Sequence, residues 1–380
     1  MTTLAPLPDA VPERPAAAVT VGVEEEYHLV DAETLALRDS AELNDAALHG
    51  RMGPQIQAEI ATTQLETATA VCRTAGELRQ QIVHVRTEAA AAAATAGSAL
   101  LVASTHPFAT WDQQRLTARP RYIELFERWG LLALQQVICG CHVHVSVPDL
   151  DTAVAVMDRA RAYLPTVLAM TGSSPFHEGT DTGYDSYRTQ WFARWPITGP
   201  TEPLGSGTAY LELVEGLRRA GVIEDSSSLY WDVRPSAKYP TVEFRVGDVC
   251  TEVDDVVLHA VLLRSLTRVL AAQAERGVPA PEIRPELLRA ARWRAARHGL
   301  SESLFDVLQG DLVPAPVAVE RLLALLRHDL QDAGEWQEAS ELTTRLLARG
   351  TSAQRQRAVL QRTGDLRAVA ASVVLRAGSA

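Results

Sequence analysis

The sequence predicts an α+β fold, on three observations. Strand-like and helical stretches are mixed as far as Cys250, and from Thr251 onward the pattern is almost entirely helical with no strand signal. The strands do not alternate with helices in a βαβ rhythm, which argues against a parallel sheet. The 380 residues, 47% hydrophobic and 22% charged, are enough for one large domain. Met1 to Ala17, with Pro6, Pro8, Pro12 and Pro15, reads as a disordered lead-in, leaving 18–380 as a single domain whose part 251–380 is mostly helical.

The first strand is Val21 to Val30, where valine, tyrosine and leucine flank Glu24-Glu25-Glu26. Gln55 to Val71 reads as strand-rich, with Glu59 and Glu66 embedded. Thr74-Ala75-Gly76-Glu77 is a capping box, opening a helix through Leu78, Ile82, Val85 and the alanine run to Gly97. Ala99 to Ser104 is a short apolar strand, Arg121 to Gly130 a helix, and Val137 to Val147 a clear strand stopped by Pro148. Asp151 to Leu164 has helical periodicity. Thr171 to Gly207, rich in Gly, Pro, Ser and Trp, is too long for a plain connector, and such loops are usually functional. Tyr230 to Pro235 and Thr241 to Val246 read as two strands joined by a turn. Thr251-Glu252-Val253-Asp254 caps a helix closing near Gly277.

A net charge of −11 makes non-specific nucleic-acid binding a poor prospect. No apolar run is long enough to span a bilayer and the N-terminus lacks signal-peptide features, so a cytoplasmic protein is expected. Four cysteines are too few for a disulfide scaffold in a chain of this size. Apolar helical faces after Thr251 are compatible with a homodimer.

The chemistry sits on strands. Side chains alternate, so Glu24 and Glu26 share one face and repel each other unless a cation or proton lies between them. Glu25 is expected to point outward and to be expendable. His142 and His144 share a face, with Cys139 and Cys141 opposite. Glu243 shares a face with Arg245, and Asp232 with Arg234, the latter read as a structural ion-pair ladder. Glu59 and Glu66, seven apart, need a bulge or break to reach one site. In the long loop, Tyr187, Arg188 and Arg194 offer aromatic and cationic groups for a substrate or nucleotide. Strand-borne oxygen ligands with one imidazole suit Mg²⁺ or Mn²⁺ better than zinc. No P-loop and no dinucleotide fingerprint is present.

Val-Gly-Val-Glu-Glu-Glu-Tyr, Cys-His-Val-His-Val, Tyr-Trp-Asp-Val-Arg-Pro and Thr-Val-Glu-Phe-Arg, in this order, resemble the ATP-dependent carboxylate–amine ligases, the type 2 glutamate–cysteine ligases related to glutamine synthetase. The loop Ser-Ser-Pro-Phe…Tyr-Arg-Thr-Gln adds to the match, which spans roughly residues 18 to 375. The resemblance implies a glutamine-synthetase-like curved antiparallel sheet with flanking helices and metals on its concave face. It implies that ATP phosphorylates a carboxylate, such as that of glutamate, and that an amine, such as that of cysteine, attacks the acyl phosphate. It also implies metal ligation by Glu24, Glu26, Glu243 and one of His142 or His144, preferably His144. Glu59 and Glu66 correspond to further metal-associated acids, and Arg234 and Arg245 to contacts with phosphate or substrate carboxylate. Two other readings stand beside it: a metal-dependent hydrolase built on Cys141, His142 and His144, and a non-catalytic relative that binds a nucleotide or metabolite.

Overall fold

A computed structural model describes residues 19–375, so the expected disordered lead-in of Met1 to Ala17 lies outside the described residues. Eight strands form one antiparallel sheet: β1 (Val21–Asp31), β2 (Ile56–Ala58), β3 (Gln64–Ala68), β4 (Ser98–Leu101), β5 (Gly140–Ser146), β6 (Val233–Pro235), β7 (Thr241–Asp248) and β8 (Val374–Leu375). Their order is β6-β7-β5-β1-β3-β2, with β4 pairing the end of β1 and β8 pairing β4. The long strand β1 is the spine. It pairs β5 through Val21–Glu25, β3 through Glu24–His28 and β4 through His28–Asp31.

Helices cover the reverse face. Val21, Val23, Cys141, Val143, Val145, Val242 and Phe244 pack there with the helices Leu150–Ala160, Leu164–Thr171 and Val253–Glu275. The last of these is apolar nearly all round and buried along most of its length, as a central core helix should be. Tyr27, Leu29 and Leu65 meet the alanine run of the helix Ala75–Thr95, whose small side chains let it lie close to the sheet. Half of the expected capping box forms: Thr74 Oγ1 accepts from the Glu77 amide at 3.1 Å, but Glu77 accepts from the Arg73 amide at 2.7 Å, one residue before the cap, rather than from Thr74.

The break expected between Glu59 and Glu66 is present, since β2 ends at Ala58 and β3 starts at Gln64. Two expectations change. Thr251 does not cap the following helix. Its hydroxyl meets Val102 O at 2.9 Å and Ser352 Oγ at 2.6 Å, and Glu252 is the N-cap, with no side-chain bond. The C-terminal region is not wholly helical: Ser303–Asp306 and Asp311–Pro314 form a hairpin, and β8 returns to the main sheet. That hairpin turns at Gly310 (φ 75°) with Asp306 accepting from the Leu308 and Gln309 amides, so local turn chemistry outweighs the helical composition around it.

Candidate active site

Antiparallel register converts four distant motifs into rows across one sheet face. Glu26 lies opposite Glu66, Glu24 opposite His142, and His144 opposite Glu243, which in turn faces Arg234. The hairpin break after β2 brings in Glu59. All line a cavity of about 250 Å³ over the sheet, together with Arg188, Arg245, Arg119, Arg121 and Lys238 and an aromatic wall that includes Phe192, Trp195 and Tyr230.

Two groups of donors emerge. In Glu24, His142 and Glu243, and again in Glu26, Glu59 and Glu66, one ligand atom from each residue lies within 4.8 Å of the others. His144 Nε2 is 3.5 Å from Glu24, and His142 stands 3.6 Å from Glu24 and 3.7 Å from Glu26. His144 Nδ1 meets Thr241 Oγ1 at 2.9 Å, which orients the ring and leaves Nε2 buried with no hydrogen-bond partner among the described residues. His142 Nε2 is also buried and unpartnered. Buried imidazole nitrogens aimed at carboxylates, beside a second cluster of acids, fit an oxygen-rich divalent cation such as Mg²⁺ or Mn²⁺.

Electrostatics separate the two groups. Burial and the charge of Glu59 push Glu26 up to about 7, although Arg188, Arg245 and the Gly140 amide (2.6 Å) pull the other way. Glu66 is raised well above the carboxylate range by burial and by Glu24 and Glu59. Burial acts to raise Glu24 as well, but His142 and His144 hold it below its ordinary value. Burial and Arg245 lower His142 to about 4, so the state supported is an ionised Glu24 beside a neutral imidazole. Glu243 is held well below the usual range: burial opposes ionisation, and Arg234 and Arg245 outweigh it. Arg234 grips Glu243 through two bonds of 2.9 and 3.1 Å, and Arg245 Nη1 bonds the same carboxylate.

Arg188 is buried and reaches the cavity from the long loop. Its guanidinium passes over Gly140, where a Cβ would stand 2.5 Å from Nη2. Behind it Asp248, fully buried, lies 4.0 Å from Nη1 and accepts from the Ser173 amide and from the Ser174 and Ser186 hydroxyls. Arg194 and Tyr187 are not among the cavity-lining residues. Arg194 stacks on Trp191 at 4.1 Å, and Tyr187 packs against His177 and Tyr184. Asp232 pairs with Arg292 at 2.8 Å rather than forming a ladder with Arg234.

Glu25 overturns an expectation. It is 1% exposed, and its carboxylate takes two bonds from the equally buried Arg86 (3.0 and 2.6 Å) and one from Tyr27 Oη (2.9 Å). The reverse face of β1 is covered by the Ala75–Thr95 helix, so an outward side chain there meets protein, not water. Sequence reasoning also passed over Asp248, Gly140 and Lys238. Only Lys238 carried a signal, as the one lysine of the chain. Cys141 is buried in the core on the opposite face from His142 and His144, which removes it from a joint zinc site.

Acids and imidazoles on one face of an antiparallel sheet, with guanidiniums beside them, are the equipment of an ATP-dependent carboxylate–amine ligase, and this chain is one. The family model described as glutamate-cysteine ligase family 2 matches residues 20–372, and the chain belongs to that family. It is 43% identical over 361 residues to a Frankia alni protein named "Putative glutamate--cysteine ligase 2-2", covering 91% of this chain and 94% of the relative. It is 42% identical to a Salinispora arenicola protein named "Putative glutamate--cysteine ligase 2", covering 93% of each. Among solved structures, the glutamate–cysteine ligase of Francisella tularensis in complex with AMP superposes with a TM-score of 0.68 at 13% identity, covering 93% of this chain and 87% of that one. A bifunctional glutathione synthetase from Pasteurella multocida gives 0.69 at 15% identity, covering 94% and 52%. At these identities the structural matches show a shared fold. No helix among the described residues is long and apolar enough to cross a membrane.

Proposed function

We propose that this ligase joins the side-chain carboxylate of an amino acid such as glutamate to the amine of a second amino acid such as cysteine, in the cytoplasm. The observation that carries the reading is the pair of donor groups, Glu24/His142/Glu243 and Glu26/Glu59/Glu66, on one rigid sheet face. These residues would hold divalent cations, Mg²⁺ or Mn²⁺. Bound there, such ions neutralise a polyphosphate and polarise the oxygens of the phosphoryl group in transfer.

The chain's own groups do the rest. Arg245 and Arg234 keep Glu243 ionised, and Arg245 and Arg188 present positive charge beside Glu26 where phosphoryl oxygens gather. The substrate carboxylate attacks the γ-phosphorus and ADP leaves. The amine then attacks the acyl carbon, phosphate departs, and the amine loses a proton. The sheet fixes donor positions before substrate arrives, which limits reorganisation during reaction. Residues 18–380 act as one catalytic domain.

The test is ADP release from purified protein. It should require a divalent cation, glutamate and an amine acceptor together. Failure to release ADP across a panel of amino-acid carboxylates and amines, with Mg²⁺ or Mn²⁺ present, sinks the reading.

A further inference from the structure

Lys238 is the only lysine in the 380-residue chain. It sits in the turn between β6 and β7 and lines the active-site cavity. Elsewhere this chain uses arginine for positive charge, even at surface positions such as Arg115 and Arg284, where lysine would serve equally well. The two side chains differ in chemistry. Arginine offers a planar fork that locks onto carboxylates, and lysine a compact, strongly hydrated charge on a flexible four-carbon stem.

The cavity's cations fall into two sets. Arg234 and Arg245 are buried or nearly so and committed to Glu243, and Arg188 is buried beside Asp248. Arg119, Arg121 and Lys238 are the outer set: Arg119 is half-buried, Arg121 and Lys238 are exposed, and among the described residues none of the three side chains makes an ion pair or hydrogen bond. In a chain of net charge −11, with most other arginines paired to acids, three uncommitted cations at one cavity mouth need an anion. A lone substrate carboxylate carries one negative charge and needs only one of them. A nucleoside triphosphate carries three to four, enough to engage the whole set.

We propose that Lys238 is a contact residue for the triphosphate chain, reaching in from the exposed rim of the cavity to meet it. This rests on the ligase reading above. Across the antiparallel hairpin, Lys238 follows Arg234 on β6 and precedes Glu243 on β7, so its turn is continuous with the strands that carry the inner guanidiniums. A flexible ammonium suits a group that must take hold of ATP on entry and release ADP on departure.

Because the chain has one lysine, its reactivity reads out occupancy directly. The full chain is treated with the N-hydroxysuccinimide ester of acetate: the deprotonated Nζ forms the amide bond, the ester C–O bond breaks, and the amine proton leaves with the departing group as N-hydroxysuccinimide. Acetylation at Lys238 is followed by peptide mass, with the α-amine as internal control and Mg²⁺ present throughout. Saturating ATP should slow modification of Lys238 by about tenfold, the scale of one charge-assisted hydrogen bond, and leave the α-amine unchanged. Glutamate alone should not slow it. In turnover, Lys238→Met should raise the KM for ATP by about tenfold with little change in the KM for the amino acid, and Lys238→Arg should recover part of the loss.

Calorimetry on the unmodified protein separates the failures. ATP binding without protection of Lys238 overturns this assignment and leaves the ligase reading standing. Protection by glutamate instead of ATP makes Lys238 a carboxylate contact and overturns it too. No ATP binding at all overturns both.

Discussion

Strand β1 carries three consecutive glutamates with opposite fates. Glu24 and Glu26 face the cavity, where burial and the charge of Glu59 raise Glu26 to about 7 and no arginine or lysine among the described residues is ion-paired to either. Glu25, on the other face, is fully served from within: Arg86 grips it with two bonds, and Arg86 itself is tied to the Cys250 and Thr251 carbonyls. The same residue type therefore does two jobs one position apart. One face leaves charge uncompensated for an incoming cation and polyphosphate, and the other brings its own cation and locks the strand to the Ala75–Thr95 helix. The comparison predicts that chemistry and stability separate along β1.

The largest effect is expected at Glu26. Glu26→Gln keeps the shape and leaves a carbonyl oxygen to accept from the Gly140 amide, but it removes the charge. Turnover should fall by about 10²- to 10³-fold, on the scale of losing one preorganised electrostatic contact. Thermal stability should hold or rise slightly, because repulsion from Glu59 and Glu66 is relieved. ADP release and a melting curve on the same preparation decide it. Activity close to the parent's would remove Glu26 from the reacting centre.

Glu25→Gln should do the reverse. Removing one partner of a buried ion pair costs about 3–5 kcal/mol, because Arg86 is left charged and unserved. Urea unfolding should show this as a lower midpoint with an unchanged slope. The double variant Glu25→Leu/Arg86→Met should regain much of the loss, since apolar replacement of a whole buried pair is often neutral. A neutral Glu25→Gln would return Glu25 to the outward, expendable role its alternation alone implies.

That reversal marks where sequence reading stops. Period-two alternation correctly put Glu24 with Glu26, His142 with His144 and Glu243 with Arg245, because facing is a local property of a strand. Which of these meet is set by register between strands far apart in sequence, and only the resemblance grouped them. Glu25 was misjudged because Arg86 lies 61 residues away on a helix, and nothing local says that this helix covers this face. Arg188 was visible as a loop arginine, but not the Gly140 gap that admits it or the Asp248 network behind it. The α+β class was legible in the ordering of patterns. The C-terminal hairpin was hidden in helical composition.

A third comparison uses cation binding itself. If the cavity face lacks compensation and the reverse face does not, Mg²⁺ should stabilise the folded chain. The gain should be about 2.7 kcal/mol at a hundredfold excess over its dissociation constant. Glu25→Gln should start lower yet gain the same increment, and Glu26→Gln should gain less. Differential scanning fluorimetry across a Mg²⁺ series measures both. Equal increments in all three proteins would mean that the ion binds elsewhere.

The smallest effect sharpens the reverse face, at a buried histidine whose Nε2 has no hydrogen-bond partner among the described residues. His259, on the Val253–Glu275 helix, sits under Gly247, whose missing Cβ would stand 2.8 Å from Nε2, and that nitrogen is unpartnered. Burial lowers its pKa from 6.5 to about 4. The folded protein keeps the ring neutral, and the unfolded chain takes up the proton first as pH falls. Its contribution is therefore full above pH 6.5, declines between 6.5 and about 4, and declines no further below that. His259→Leu should flatten that part of the acid limb and change little at neutral pH, in contrast to Glu25→Gln, which costs stability there. Urea midpoints measured from pH 4 to 8 test it, and an acid limb of unchanged slope would show that other groups set it.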